Sequence, residues 1–210
     1  RLMYWQVYLH KTVVAAEQNL VQTLRRAKEL GLAGTPLFGS PDLLGFLNER
    51  RDRASFNAPA VLDAFMRLDD HDVMGAVKVW ARHPDKVLSL LATDLIQRRT
   101  LRIRLRNLPW DPDLVRRIRL ETAAKLGVTE AEAGHFVLTD RIVNKAYDTA
   151  HEGIGILFKN GRVEDIAAAS DNLGIAAMSG AVEKYFRAYP RQLGEELFEA
   201  ALLFGLEHGG

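Results

Sequence analysis

The sequence predicts an α+β protein, with a mainly helical N-terminal region followed by a small lobe that holds an antiparallel sheet and helices. Apolar residues recur at helical spacing over most of the first region, whereas from Leu101 the pattern changes to the alternation of a half-buried strand. An Asn-Gly pair at Asn160 then separates two strand-like runs, which is a strong hairpin signal. We therefore expect a helical region at 1–100, an α+β lobe at 101–190 and a C-terminal amphipathic helix at 191–210.

Five helices are predicted in the first region, because apolar periodicity is bounded there by capping, proline and glycine signals. The first and longest helix ends at Gly31, and the second begins at the start signal Ser40-Pro41. The predicted ranges are Leu2 to Leu30, a short helix from Ser40, Asn57 to Leu68, Asp70 to Arg82 and Pro84 to Arg99.

The lobe that follows mixes strand and helix signals, which favours an antiparallel sheet with helices beside it. A hairpin is expected within 153–169, with Asn160 and Gly161 as the two central turn residues, both at positive φ. The other predicted elements are a strand at Leu101 to Arg106, a helix at Asp113 to Leu126, a strand at Phe136 to Val143 and helices at Leu173 to Tyr189 and Leu193 to Leu206.

The composition is that of an ordinary globular protein and excludes several functional classes. Among the 210 residues 48% are hydrophobic and 26% are charged, yet the formal net charge is only +1. Such a balance gives no overall attraction to nucleic acid or to a membrane surface. The absence of cysteine excludes disulfides and thiolate metal sites, and no apolar run approaches the roughly 18 residues of a membrane span. We expect a cytoplasmic protein.

One adjacent pair, His71-Asp72, has the residue types that bind divalent ions in metal-dependent hydrolases. The same segment also suits a helix start, because Asp69, Asp70 and Asp72 would cap free N–H groups and complement the positive helix end. The apolar pattern from Val73 favours the helix start. We therefore assign no metal ligand and no cofactor to this chain.

The sequence contains none of the common nucleophile or phosphate-loop motifs. G-x-S-x-G, the Walker loop, G-x-G-x-x-G and H-E-x-x-H are all absent. Accordingly, no residue of this chain is assigned a catalytic role.

Arginines are clustered, and three of them alternate along the strand predicted from Leu101. Arg102, Arg104 and Arg106 would lie on one face, where forked guanidinium groups can hold phosphate oxygens. The alternative is a solvated strand face balanced by acidic residues elsewhere, which the near-neutral net charge favours. These three residues are candidate phosphate contacts.

The opening helix carries aromatic and basic side chains on two faces. At about 100° per residue, Tyr4 and Tyr8 share a face with Lys11, whereas His10 projects about 200° away from Tyr8. Two such faces can serve two pockets. Alternatively, the tyrosines are core residues with satisfied hydroxyls, which is the interpretation that spacing alone favours.

The same segment resembles a known family. Its Tyr8-x-His10-Lys11 motif, within the run from Tyr4 to Val14, resembles a segment of HD-domain deoxynucleoside triphosphate triphosphohydrolases. In that family a Tyr-x-His-Lys stretch follows the last metal ligand and leads into a long helix. Further similarity lies at Leu68–Asp72, at Leu95–Arg99 and in the lobe at Tyr147–Arg187.

The resemblance implies a division of roles. Tyr8, with Tyr4 nearby, would contact the substrate sugar, while His10 and Lys11 would lie on a regulatory-nucleotide or subunit-interface side. The His, His-Asp and Asp metal tetrad of the family is not present, and His71-Asp72 falls downstream of its place. We therefore expect the C-terminal portion of a metal-dependent phosphohydrolase, inactive alone, with the divalent metal bound by a missing N-terminal HD portion.

Two functional hypotheses follow. In the first, the chain supplies substrate-pocket wall, regulatory surface or oligomerisation surface to a homo-oligomeric phosphohydrolase acting on (deoxy)nucleoside triphosphates. The amphipathic opening from Arg1, which lacks an initiator methionine, supports a longer parent protein. In the second, the chain is a self-sufficient helical and α+β protein-interaction module with no nucleotide link.

Overall fold

The computed structural model describes residues 10–144, 155–165 and 182–193. In these ranges helices dominate the first part and two antiparallel sheets form in the second, which confirms the predicted α+β class. The helices are α1 (Lys11–Leu32), α2 (Pro41–Asn48), α3 (Arg53–Phe56), α4 (Pro59–Arg67), α5 (Asp70–Trp80), α6 (Lys86–Ile96), α7 (Pro112–Leu126) and α8 (Glu130–Ala133). The strands are β1 (Arg102–Arg106), β2 (Leu138–Asn144), β3 (Gly155–Leu157), β4 (Val163–Asp165) and β5 (Val182–Tyr189).

The helical region is built around α1, which packs against α2 and α6. Its core joins buried apolar side chains from four helices, with Trp80 of α5 fully buried. The indole Nε1–H of Trp80 donates a 2.9 Å hydrogen bond to the Phe38 carbonyl, so the loop after α1 is tied to this core. The other buried members are Ala27, Leu43, Leu47, Ala76, Val77, Leu88 and Ala92.

Gly31 permits the close approach of α1 and α2. A Cβ at this position would lie 2.6 Å from Asn48 Oδ1 and 2.8 Å from the Leu47 carbonyl oxygen. Gly31 was predicted to stop the helix, but it lies inside α1, which ends two residues after the predicted Leu30. The left-handed residue that follows the helix is Gly34, with φ +79°.

The larger sheet has the strand order β1-β5-β2, with β5 antiparallel to both neighbours. One face is apolar and packs on the first turns of α1, where Val14 and Ala15 meet Ile103, Phe186 and Ala188. Since side chains alternate along a strand, the other face carries the arginines of β1 together with Tyr185, Arg187 and Tyr189 of β5.

The helix predicted at Leu173 to Tyr189 is wrong over residues 182–189, which form strand β5; residues 173–181 lie outside the described ranges. The segment is short, aromatic-rich and buried on both faces, so its apolar residues do not show the simple alternation of a half-buried strand. Its partners β1 and β2 are distant in sequence, and this tertiary pairing overrides the local pattern. The predicted helix at Leu193 to Leu206 also lies outside the described ranges, apart from Leu193.

The predicted hairpin is confirmed, but its turn differs. Strands β3 and β4 pair with Leu157 opposite Val163. Among the described non-glycine residues only Arg98 has positive φ, so Asn160 does not occupy a two-residue turn with two positive φ values. Instead the Gly161 N–H donates to the Phe158 carbonyl at 2.9 Å, and Gly161 itself has φ +82°. This is a turn centred on residues 159–160 followed by a glycine bulge.

Most helix predictions before residue 130 are confirmed, with ends that shift by up to three residues. Two short helices were missed, although both carry a capping box. In α3, Asp52 and Ser55 cap each other's backbone N–H groups, and in α8 Thr129 and Glu132 do the same. Each helix spans only four residues, too few to establish an apolar period.

One arginine joins three helices. Arg26 of α1 donates to both Asp85 carboxylate oxygens at 3.1 and 2.7 Å and to Glu132 at 3.0 Å. Asp85 is the N-cap residue of α6, and Glu132 belongs to the capping box of α8. The Arg26 side chain is only 15% exposed, so these charge-assisted bonds lie in a poorly solvated place. They raise the pKa of Arg26, with the Asp85 hydrogen bond as the largest cause.

His135, to which the sequence assigned no role, forms further polar contacts with α1. His135 follows α8, and its ring nitrogens lie 3.2 Å from Gln22 Oε1 and 3.1 Å from Glu29 Oε2 of α1. Because its side chain is only 11% exposed, His135 acts here as a structural link between α1 and the loop after α8.

Replacing Arg26 should destabilise the protein strongly. Arg26→Gln leaves Asp85 without its bidentate partner in a mostly buried place, and we expect a loss of about 3 kcal/mol in the free energy of unfolding. Urea denaturation measures this change. The matched control is Arg67→Gln, since Arg67 forms a bidentate pair with Asp42 but is 59% exposed, and its loss should be much smaller. Equal losses would contradict the central role of Arg26.

The same ion pair predicts how stability depends on pH. Burial raises the pKa of Asp85, but hydrogen bonds from Arg26 and the Leu88 N–H outweigh burial and hold it below its usual value. Its contribution to stability is therefore complete above the unfolded-state pKa of about 3.9 and is lost as the pH falls through the lower folded-state value. In Asp85→Asn, urea unfolding followed from about pH 7 down to about pH 2 should show a flatter decline.

Candidate functional site

The His71-Asp72 pair begins a helix. Asp69 accepts hydrogen bonds from the His71 and Asp72 N–H groups at 2.8 and 3.1 Å, and Asp72 accepts from the Asp69 N–H at 3.0 Å. The donors at Asp72 and His71 lower the pKa of Asp69 by favouring its ionised form. The His71 side chain is 95% exposed. In the described ranges, no group of three or more His, Asp or Glu side chains could hold a metal ion.

Lys11 and Arg102 line the same cleft. Lys11 begins α1 and Arg102 begins β1, and these two elements pack together through the apolar face of the sheet. The cleft between them has a volume of about 140 Å³ and is also lined by Arg191. Arg191 follows β5, and its Nε–H donates a 2.8 Å hydrogen bond to the Thr100 carbonyl. Three elements that are distant in sequence thus bring three cationic side chains together.

Positive charge dominates this cleft. Among the residues that the structure describes, its lining includes Lys11, Arg102 and Arg191 but no carboxylate. The N-terminal end of α1 adds backbone N–H groups and the positive end of a 22-residue helix, whose first turn holds no acidic residue. An oxyanion such as phosphate is the complementary ligand for this arrangement.

His10 lies beside the cleft as the N-cap residue of α1. Its backbone is extended, with φ −61° and ψ 138°, and its Nδ1 accepts a 3.3 Å hydrogen bond from the Thr12 N–H. The predicted continuous helix from Leu2 is therefore wrong at His10, and a shared face of Tyr8 and Lys11 does not follow from helical spacing. Tyr4 and Tyr8 themselves lie outside the described residues.

The three arginines of β1 divide between two places. Strand alternation puts Arg102, Arg104 and Arg106 on one face of β1, but only Arg102 lines the cleft beside Lys11. Arg106 contacts Trp110, with its guanidinium carbon 4.9 Å from the centre of the indole ring. The role of these three arginines as phosphate contacts stays a prediction, and of the three only Arg102 lines this cleft.

Arg187 of β5 was missed by the sequence analysis. It lies opposite Arg104 in the sheet, is 4% exposed and stacks on Trp110 at 4.2 Å from the ring centroid. Burial lowers the pKa of Arg187 to about 10, and the charges of Arg104 and Arg106 act in the same direction. The helix assigned to this segment hid the residue, because only a strand places Arg187 on the face that carries the β1 arginines.

A second cleft, of about 280 Å³, opens beside Trp110 and has mixed charge. Asp140 and Arg141 of β2 line it, together with Tyr185 of β5. Arg141 forms a 3.2 Å ion pair with Glu183, and a hydrogen bond to the same carboxylate raises the pKa of Tyr185. With carboxylates at its edge, this cleft is less suited to an anion than the cleft at Lys11.

Comparison with known proteins supports a hydrolase-related fold. No protein-family model matches the sequence. A crystal structure of a phosphohydrolase from Bacteroides thetaiotaomicron is similar over 91% of this chain, with 45% sequence identity and a TM-score of 0.79. The uncharacterised protein YwfO of Bacillus subtilis is 23% identical over 175 residues, which is 80% of this chain. The chain spans 48% of the phosphohydrolase and 38% of YwfO.

None of the helices in the described ranges combines the length and the apolar character that a membrane span requires.

The aromatic ring of Trp110, and not its N–H, should stabilise the face of the sheet that carries Arg106 and Arg187. Its indole Nε1 is buried and has no hydrogen-bond partner in the part of the chain that the structure describes. Trp110→Phe keeps a ring for Arg106 and Arg187, so we expect a change below about 1.5 kcal/mol in the free energy of unfolding. Trp110→Ala should cost about 3 kcal/mol. Urea denaturation compares the two variants, and similar losses would contradict the role of the ring.

Proposed function

We propose that this chain is the C-terminal portion of an HD-domain, metal-dependent phosphohydrolase that acts on (deoxy)nucleoside triphosphates. The observation that carries the proposal is the cationic cleft of Lys11, Arg102 and Arg191, in a fold similar to that of a phosphohydrolase. The chain contributes substrate-pocket wall, regulatory surface and oligomer contacts, and it is not catalytic by itself.

The divalent metal belongs to the preceding HD portion in this proposal. The described residues provide no ligand group for it, and the similar phosphohydrolase is about twice as long as the matched region. The proposal accordingly assigns none of the described residues to metal binding or to proton transfer. Tyr8 and Tyr4, from the family-like motif, form the part of the substrate-pocket wall that lies next to the sugar.

The cleft beside α1 binds the phosphates of a regulatory nucleotide. Its volume of about 140 Å³ is below the 300–1,000 Å³ that is usual for drug-sized ligands, so it suits a phosphate group better than a whole nucleotide. The nucleoside then lies against a neighbouring surface, contributed by the HD portion or by another subunit. Lys11 and Arg102 supply charge to the phosphates, and His10 holds the first turn of α1 by capping it.

The test uses the longer protein and the 210-residue chain side by side. The longer protein should hydrolyse dGTP with Mn²⁺ or Mg²⁺, whereas the 210-residue chain alone should not. Millimolar dNTPs should nevertheless raise the Tm of the chain alone, because they bind its folded state. Lys11→Gln combined with Arg102→Gln should increase the dNTP concentration needed for half of this Tm shift by about tenfold, because two charge-assisted contacts are lost.

The matched control removes the same charge elsewhere. Arg117 and Lys159 are exposed and line neither the cleft at Lys11 nor the cleft beside Trp110. Arg117→Gln with Lys159→Gln should leave the dNTP dependence unchanged. Hydrolysis of dGTP by the isolated chain would contradict the assignment of catalysis to the HD portion, and equal effects of the two double variants would contradict the cleft.

An exposed apolar surface favours a second candidate function, that of a protein-interaction module. On α4 the side chains of Leu62, Phe65 and Met66 are 39%, 51% and 81% exposed. Phe65 packs against Phe46 and Phe56 with ring centroids 6.0 and 5.5 Å apart, so the exposed residues border an aromatic cluster. A Tm that does not change with millimolar dNTPs would favour this candidate over the phosphohydrolase.

A further inference from the structure

A larger cavity lies on another side of the helical region. It has a volume of about 470 Å³ and forms where the end of α5 meets the loop after α1. Its apolar wall consists of Phe38, Val79 and Pro84, and Phe38 and Val79 are 56% and 45% exposed. The volume is typical of sites for small organic molecules, and the exposed wall offers a surface on which a flat ring can pack.

Three basic side chains complete this cavity. Lys78, Arg82 and His83 line it, and none of its described lining residues is a carboxylate. Within the ranges that the structure describes, neither Lys78 nor Arg82 forms an ion pair. Two cationic groups are therefore available next to the apolar wall.

Hydrogen bonds fix the walls without any ligand. The Asp85 N–H donates to His83 Nδ1 at 3.0 Å, so a neutral His83 ring carries its proton on Nε2 and can donate from that atom. Asp85 is held in turn by Arg26. On the opposite side, the Phe38 carbonyl accepts from Trp80 Nε1. The backbone at Phe38 and the His83 ring are thus held in place by these hydrogen bonds.

We propose that this cavity binds a small planar molecule that carries one anionic group, a phosphate or a carboxylate. The ring packs against Phe38, Val79 and Pro84, and the anionic group takes hydrogen bonds from Lys78 and Arg82. The site shares no lining residue with the cleft at Lys11, and it does not depend on the function proposed above.

The probes of the test separate the two parts of the ligand. Binding of 1-naphthyl phosphate and of 1-naphthoate to the whole chain is measured by isothermal titration calorimetry, with 1-naphthol and inorganic phosphate as the separate halves. We expect at least one of the two anionic naphthyl compounds to bind about tenfold more tightly than either half, because ring packing and charge act together. The better of the two identifies the anionic group.

Variants of the lining residues then test whether the probe binds in this cavity. Lys78→Gln with Arg82→Gln should weaken the preferred probe about tenfold, to the level of 1-naphthol. Phe38→Ala should weaken the probe as well, and it leaves intact the carbonyl that Trp80 uses. The matched control is again Arg117→Gln with Lys159→Gln, which should not change binding. Circular dichroism and Tm confirm that each variant is folded.

Three results would overturn the proposal. The first is the absence of binding by both anionic probes at millimolar concentration. The second is an equal loss of affinity in the control variant, which would indicate nonspecific charge attraction. The third is that no probe binds to the unsubstituted chain, while Phe38→Ala or Lys78→Gln/Arg82→Gln changes the oligomeric state measured by sedimentation. That result would indicate that this surface is an interface between two copies of the chain.

Discussion

Arg26 sits where three helices of this protein meet, and much of the geometry depends on the carboxylates it holds. Asp85 accepts from Arg26 and from the Leu88 N–H, so the same side chain that pairs with α1 also starts α6. Glu132 likewise pairs with Arg26 while it caps α8. A single guanidinium thus sets both the spacing and the rotation of these helices, because its donors have a fixed planar arrangement.

The position of α1 also determines where charge collects. Val14 and Ala15 pack on the apolar face of the sheet, and this contact brings the first turn of the helix to the beginning of β1. Lys11 and Arg102 line one cleft for that reason. Apolar burial elsewhere thus keeps two cationic side chains at the same place. The same logic applies to Arg187, which is buried beside Trp110 and near two other arginines.

The sequence was sufficient for elements whose signals are local. Helix starts at Ser40 and Asp69 carry a capping side chain and could be recognised directly. Strand β5 could not be recognised, because both of its faces are buried and its partners are distant in sequence. The turn at Gly161 was predicted as a glycine turn but in the wrong register, since two hairpin geometries share the same residues.

The candidate site was predictable only in part, for a similar reason. Lys11 and Arg102 were both selected from the sequence, but as members of two unrelated groups. Their meeting at one cleft, and the presence of Arg191, follow from tertiary packing that periodicity does not encode. His135 shows the same limit, because its partner Glu29 lies on α1, far from it along the chain.

The strand order β1-β5-β2 has a consequence for the assembly of the protein during its synthesis. Within the described ranges, β1 and β2 do not pair with each other, and each of them pairs with β5. Arg102 pairs with Tyr189, so β1 has no strand partner until the ribosome has synthesised β5. At 5–20 residues per second this delay is about 4–17 s for some 85 residues, during which Ile103 and Leu105 have no sheet to cover them. During this time β1 can bury its apolar side chains only against the apolar side of α1. Interruption of synthesis before β5 would leave an unpaired strand and therefore an aggregation-prone chain.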